Sequence, residues 1–128
     1  MWLFAGGVSG AVAVALGASG AHGLKSKLSS LEDFESRMAW WSTASGYHLA
    51  HSILLVLIGL LMLNERAPSG PLKVAAIGVL VGVTLFSGSL YTMTLTGVRA
   101  LGAVTPLGGM AFLVAWGAVA YAGLRMRG

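Results

Sequence analysis

The sequence predicts an all-α, polytopic membrane protein: an antiparallel bundle of four transmembrane helices, with a short amphipathic surface helix between the first and second spans. Of the 128 residues, 56% are hydrophobic and only 9% are charged, whereas a soluble domain carries about 25% charged residues. The charged residues also gather between long uncharged stretches, and a stretch of about 20 apolar residues is enough to cross a bilayer. A chain of this length is expected to form one domain, residues 1–128.

The second span is the most informative stretch of the chain. It opens on a tryptophan pair and contains no Asp, Glu, Lys or Arg, yet it carries Tyr47, His48 and His51. Ionisable side chains inside a membrane span are costly and usually face the interior of the bundle. The four spans are expected near residues 2–21, 39–63, 72–94 and 104–124.

Polar segments separate the spans. Residues 20–38 hold six charged residues, and serines three positions before acidic residues resemble a capping box. Leucines recur on one face there, so a short amphipathic helix within 29–38 is predicted to lie on the membrane surface. Two prolines interrupt residues 64–71, and a short turn around Arg99 follows the third span. Such short connections make neighbouring helices antiparallel.

Small residues recur at helical spacing in three of the spans. The chain has 19 glycines, and in the first span Gly10, Gly17 and Gly20 fall with Ala13 on one narrow stripe, while Gly6 and Gly10 form a GxxxG pair. A stripe of this kind lets another helix approach closely, which is how membrane helices gain packing contacts. The glycines predicted to pack helices are Gly6, Gly10, Gly17, Gly20, Gly78, Gly82 and Gly108.

Polar side chains are predicted to gather in one half of the membrane thickness. Because the spans alternate in direction, the ends of spans one and three lie on the same side as the starts of spans two and four. The candidate binding residues on that side are His22, Tyr47, His48, His51, Ser87, Ser89 and Tyr91. Tyr47, His51 and Ser87 are expected to converge inside the bundle. Span three is expected to supply the hydrogen-bond partners of His51, since an unsatisfied polar group in hydrocarbon is costly.

Three segments resemble a known family. Residues 17–22 read Gly-Ala-Ser-Gly-Ala-His, residues 86–91 read Phe-Ser-Gly-Ser-Leu-Tyr, and residues 105–109 read Thr-Pro-Leu-Gly-Gly. In this order they resemble the YgdD-like family of small four-span inner-membrane proteins of bacteria, over essentially the whole chain. The positions that match its motifs are His22, Tyr47, His51, Ser87, Ser89 and Tyr91. The resemblance implies a fold and an inner-membrane location, and no activity.

Three interpretations of the polar cluster stay open from the sequence. In the first, its side chains cross-link helices by hydrogen bonds of about 0.6–2 kcal/mol each, and the protein is an accessory or packing subunit of a membrane complex. In the second, a cavity around His51 and Tyr47 binds or passes a small amphiphile, a quinone, a lipid or a proton. In the third, His22, His48 and His51 form a metal or haem site, although no carboxylate in the spans is available to orient an imidazole.

Composition argues against several other functions. The chain contains no cysteine, which excludes disulfides and thiolate chemistry. Its net charge of +4 is spread over loops and tail, so no nucleic-acid partner is expected. With no carboxylate in the spans, acid–base catalysis would rest on histidine and tyrosine alone, so neither an enzyme nor a cofactor is predicted. The expected partners are the lipid bilayer and another membrane protein or a second copy of the chain.

The basic residues are balanced between the two sides of the membrane. The side of both termini has Arg66, Lys73, Arg125 and Arg127, and the opposite side has Lys25, Lys27, Arg37 and Arg99. The positive-inside rule counts these residues, and the free amino terminus adds one charge to the first group. Both termini are therefore predicted to lie in the cytoplasm.

Overall fold

Four long helices make up the structure. The computed structural model describes residues 1–126, so Arg127, one of the basic residues counted above, lies outside the described residues. A short 3-10 turn, Arg99–Ala103, precedes the last helix. In chain order the helices are α1 (Trp2–Leu28), α2 (Phe34–Leu61), α3 (Ser69–Thr96) and α4 (Thr105–Met126). Residues 1–126 thus contain four helices long and apolar enough to cross a membrane, which confirms the predicted all-α, four-span fold.

The predicted surface helix within 29–38 is not a separate element. Lys25–Leu28 continues α1 beyond a π-helical turn, residues 29–33 form a turn, and the residues from Phe34 onward belong to α2. The first two helices therefore extend further toward this side than the predicted spans did.

Contacts of Arg37 keep the first turn of α2 collinear with the rest of the helix. Its Nε donates to the Asp33 carboxylate at 2.8 Å, and its Nη1 donates to the Thr94 carbonyl at the end of α3 at 3.0 Å. The Thr94 hydroxyl donates back to the Arg37 carbonyl at 3.1 Å. The guanidinium packs against Gly97, whose φ of 73° ends α3 in a left-handed conformation that glycine adopts without strain. These contacts hold the segment in line with α2 instead of flat on the membrane.

The two middle helices form the centre of the bundle. α1 packs along α2, α4 packs along α3, and α2 and α3 contact each other. Within the most apolar stretch of each helix, 44% of the residues are buried in α2 and in α3, against 17% in α1 and 22% in α4. The two outer helices are therefore much less enclosed by the bundle than the two middle helices.

Glycines allow close approach at both outer seams. A Cβ added to Gly6 would lie 2.7 Å from the Val56 backbone nitrogen in α2, and one added to Gly108 would overlap the Phe86 backbone in α3. Each predicted packing glycine has an atom of a neighbouring helix within 4 Å of such a Cβ: Gly6, Gly10, Gly17, Gly20, Gly78, Gly82 and Gly108. Gly59, which the sequence analysis did not single out, meets Leu3 in the same way.

The interior is apolar near the chain termini, and elsewhere buried polar side chains are mixed with a smaller apolar cluster of Ala44, Leu90 and Met93. The larger apolar core consists of Leu54, Leu55, Ile58, Leu72, Ala75, Ala76, Val79, Ala115 and Ala122. The buried polar residues are His48, His51, Ser52, Ser87, Ser89 and Thr94, from the middle of the bundle to its opposite end. The buried polar residues thus lie in the half of the bundle where the alternating directions of the spans predict them.

Candidate functional site

The polar interior is organised along one face of α2. Residues on this face follow one another at alternating steps of four and three, the spacing of a helix seam: Arg37, Trp41, Ala44, His48, His51, Leu55 and Ile58. The first five each make a hydrogen bond to another helix, and the last two are buried in the apolar core. One continuous seam therefore changes from polar to apolar along α2.

His48 joins three helices through its two ring nitrogens. Its Nε2 lies 3.1 Å from the Ser9 hydroxyl of α1, and its Nδ1 lies 3.2 Å from the Tyr91 hydroxyl of α3. The Ser9 hydroxyl also lies 2.7 Å from that of Ser52, which donates to the His48 carbonyl at 2.7 Å. With only 6% of the residue exposed, His48 is a buried junction of α1, α2 and α3.

The directions of the hydrogen bonds in this junction follow from the bond between the Ser52 hydroxyl and the His48 carbonyl. A carbonyl only accepts, so the Ser52 hydroxyl hydrogen points to the His48 carbonyl, and Ser52 accepts from Ser9. The Ser9 oxygen then accepts from the Nε2–H of His48, and the bare Nδ1 accepts from Tyr91. For a neutral ring, the network thus selects the Nε2–H tautomer of His48.

His51 faces α4 and is the opposite tautomer. The Trp116 indole N–H donates to its Nε2 at 3.2 Å, and its Nδ1 lies 2.8 Å from the Tyr47 carbonyl. An indole only donates and a carbonyl only accepts, so the ring hydrogen sits on Nδ1. A second ring hydrogen would point at the indole donor, so these partners favour the neutral imidazole. The ring also stacks on Phe112, with 3.6 Å between centroids.

The expectation that span three supplies the partners of His51 is wrong. Two residues three apart differ by about 60° around a helix axis, which turns His48 toward α1 and α3 and His51 toward α4. Tyr91 bonds His48, and Ser87 donates to the Ala44 carbonyl at 2.8 Å. Tyr47 does lie beside His51, with 5.9 Å between ring centroids. Of the three residues expected to converge, Ser87 is bonded elsewhere.

The other predicted residues lie apart from both histidines. His22 is exposed in the π-helical turn of α1. The Ser89 hydroxyl lies 2.7 Å from that of Thr105 and links α3 to α4. Among residues 1–126, no three His, Cys, Asp or Glu side chains form a group able to hold a metal ion. His22, His48 and His51 therefore do not combine into the metal or haem site that the sequence left open.

Four residues that contact His48 or His51 were not predicted from the sequence: Ser9, Ser52, Phe112 and Trp116. The two serines are small and resemble packing residues of a membrane helix, so no signal separated them from their neighbours. Trp116 did offer a signal. Tryptophan in membrane proteins is enriched at the interfaces, and a buried indole N–H usually finds a partner, so an indole in the middle of a span indicates a polar contact.

A cavity of about 510 Å³ lies beside His51. Its wall is mainly aromatic and consists of Tyr47, Phe86, Phe112 and Trp116, with the backbone of Gly109. Tyr47 is 47% exposed and Trp116 is 51% exposed, so the cavity opens on the outer surface of the bundle. A π-helical turn, Val83–Ser87, carries Phe86 to 4.5 Å from Tyr47 between ring centroids. Such turns are frequent at functional sites.

Four apolar helices of spanning length, joined by short turns and cross-linked through a polar interior, define a polytopic membrane protein. The family described as "Protein of unknown function (DUF423)" matches residues 16–109. The chain belongs to this family. The UPF0382 inner membrane protein YgdD of Escherichia coli K12 is 35% identical over 127 residues, which cover 99% of this chain and 91% of that protein.

Other relatives agree in name and extent. The UPF0382 membrane protein YwdK of Bacillus subtilis is 35% identical over 116 residues, covering 91% of this chain and 89% of the relative. A UPF0382 membrane protein of Staphylococcus epidermidis is 37% identical over 128 residues, covering 100% and 98%. No solved structure matches the chain. The predicted family and membrane location are thus confirmed, and neither the family description nor these relatives' names include an enzymatic activity.

Proposed function

We propose that the protein is a non-enzymatic accessory or packing subunit of a membrane complex, and that it binds a transmembrane helix of another membrane protein on the outward face of α1. One observation about the interior supports this most directly: within residues 1–126, every buried side-chain nitrogen or oxygen has a hydrogen-bond partner. Side chains that bond one another in this way stabilise helix packing, and no buried polar side-chain atom of these residues needs a ligand to supply its first hydrogen bond. We therefore propose that the partner binds on the outer surface of the bundle.

The outward face of α1 suits another helix. One stripe of small residues on α1 packs on α2, and a second stripe points away from the bundle. The members of the outward stripe are all exposed: Gly7, Ala11, Ala15 and Ala18. A Cβ added to Gly7 would meet no atom within 4 Å. Small residues spaced by four allow two membrane helices to approach closely, so this face has the form of a helix contact.

A Gly7→Leu variant is expected to release the partner, because a bulky side chain blocks close approach. The full chain would be extracted in a gentle detergent, purified by affinity and analysed by mass spectrometry for co-purifying membrane proteins. Recovery of the partner should fall about tenfold or more, equivalent to about 1.4 kcal/mol or more.

Val12→Leu is the matched control, since Val12 is exposed on another face of the same helix. It should retain the partner and fold as the wild type does. Equal recovery from both variants, or a wild-type protein that purifies alone, would contradict the proposal. A second copy of this chain as the only associated protein would replace it with a homo-oligomer.

A second candidate function rests on the cavity beside His51. An apolar wall with a few polar groups is the usual form of a site for a small molecule. The volume of about 510 Å³ and the opening between Tyr47 and Trp116 favour entry of a small amphiphile, such as a quinone or a lipid, from the bilayer.

Filling this cavity is expected to displace such an amphiphile. A Cβ added to Gly109 would lie 3.8 Å from the Phe86 ring, so a Gly109→Leu variant can fold with its side chain in the cavity. Gly117→Leu is the control, because a Cβ there would meet no atom within 4 Å. Mass spectrometry of co-extracted small molecules should detect the amphiphile with the wild type and Gly117→Leu, and not with Gly109→Leu. Retention by Gly109→Leu would contradict this candidate.

A further inference from the structure

A separate cavity of about 770 Å³ opens at the end of the bundle that holds the chain termini. It lies between the last turns of α2, the turn that follows, and the last turn of α4. Leu57, Leu60 and Leu61 of α2 form its apolar side, and each is about half exposed. Arg66 of the turn and Arg125 of α4 also line it. An apolar wall and two guanidinium groups thus share one opening.

No carboxylate of residues 1–126 forms an ion pair with either arginine. Within residues 1–126, the one ion pair joins Arg37 to Asp33 at the opposite end of the bundle. Glu65, the acidic residue next to Arg66 in the turn, pairs with neither guanidinium of the cavity. Two guanidinium groups that no carboxylate of the described residues pairs with create a positive potential at this opening, and that potential favours an anionic occupant.

Arg125 is held in position by its own helix. Its Nη1 donates to the Tyr121 hydroxyl at 3.2 Å, and its guanidinium carbon lies 6.0 Å from the centre of the Tyr121 ring. A guanidinium has five N–H donors in a planar fork that matches the oxygens of a phosphate. The bond to Tyr121 engages one nitrogen, so Arg125 is oriented and still has donors for a ligand.

We propose that an anionic phospholipid binds in this cavity, with its phosphate between Arg66 and Arg125 and an acyl chain along the leucines of α2. The two ends of the cavity fit such a molecule, because the arginines belong to a turn and a helix end at headgroup level, and the leucines continue into the apolar span. Basic pockets between transmembrane helices are a known form of headgroup site. This proposal depends neither on a partner for α1 nor on the cavity beside His51.

Native mass spectrometry of the full chain with phosphatidylglycerol or phosphatidylcholine tests it. The wild type should retain phosphatidylglycerol in clear preference. The Arg66→Gln/Arg125→Gln double variant should retain about 30-fold less, the size expected from two cations near an anionic headgroup, with phosphatidylcholine retention unchanged. Lys73→Gln is the matched control: it removes one charge from the same side of the membrane at an exposed residue outside the cavity. It should behave as the wild type.

Three outcomes would overturn the proposal. Equal retention of both lipids by the wild type would show that no headgroup is selected. A loss of affinity per removed charge that is as large in Lys73→Gln as in the double variant would show general surface attraction. A rise in unfolding temperature with inorganic phosphate alone that needs both arginines would assign a free-phosphate site. If the double variant does not fold, Arg66→Gln in the exposed turn serves as the test, with a smaller loss of phosphatidylglycerol expected.

Discussion

A Gly108→Ala variant is expected to lose about 1–3 kcal/mol of stability or more, the usual cost of forcing an extra group into a packed interface. The added Cβ would overlap the backbone nitrogen of Phe86 and lie 2.7 Å from its Cα. A side chain can rotate away from such a contact, but a helix backbone cannot, so α3 and α4 would have to separate. The measurement is the free energy of unfolding in one detergent under fixed conditions.

Gly109→Ala is the control for this change, because its added Cβ would make an ordinary contact of 3.8 Å with the Phe86 ring. The same comparison can be made between α1 and α2. A Cβ on Gly6 would lie 2.7 Å from the Val56 backbone nitrogen, and one on Gly7 would meet nothing within 4 Å. Equal stability of Gly108→Ala and Gly109→Ala would show that α3 and α4 do not approach as closely as the structure places them.

The four spans could be predicted because the bilayer leaves few alternatives. An uncharged stretch of spanning length must form a helix to satisfy its backbone in hydrocarbon, so composition and the positions of the charges were sufficient. The glycine stripes were readable for a similar reason, since small residues at helical spacing have a direct steric consequence. Their partner helices, such as α2 opposite Gly6, became known only from the structure.

The predicted surface helix failed because a distant contact decided its conformation. The amphipathic pattern of residues 29–38 is real, but Arg37 bonds the Thr94 carbonyl, a residue from the far end of another span. No pattern within the segment could reveal that bond. The charged residues of this segment therefore start α2 or occupy a turn.

The partners of the histidines were also beyond the sequence. Depth can be counted along a helix at about 1.5 Å per residue, and it placed Ser87 and Tyr91 near the level of the histidines. The direction of a side chain around the helix axis depends on where the neighbouring helices pack. The π-helical turn Val83–Ser87 changes that direction within α3, and no residue pattern predicts this turn.

His51→Ala is expected to destabilise the bundle by about 2–4 kcal/mol, the sum of an unsatisfied donor and a lost aromatic contact. Alanine leaves the Trp116 indole N–H without its acceptor and removes the ring that stacks on Phe112. His51→Gln should recover much of the loss, because its side-chain oxygen can reach the position of Nε2 and accept from Trp116. The Tyr47 carbonyl loses only a second donor, since a helix carbonyl keeps its backbone bond.

His51→Asn separates the hydrogen bond from polarity in general, because its shorter side chain cannot reach the indole. It should therefore be nearly as unstable as His51→Ala. In a Trp116→Phe background no indole donor remains, so the difference between Gln and Asn should vanish, and this double-mutant cycle measures the coupling of His51 to Trp116. If Gln is as destabilising as Ala, the bond to Trp116 does not hold this junction together. If the alanine and glutamine variants both keep wild-type stability and lose a bound amphiphile, His51 serves the ligand cavity and not the packing of α2 against α4.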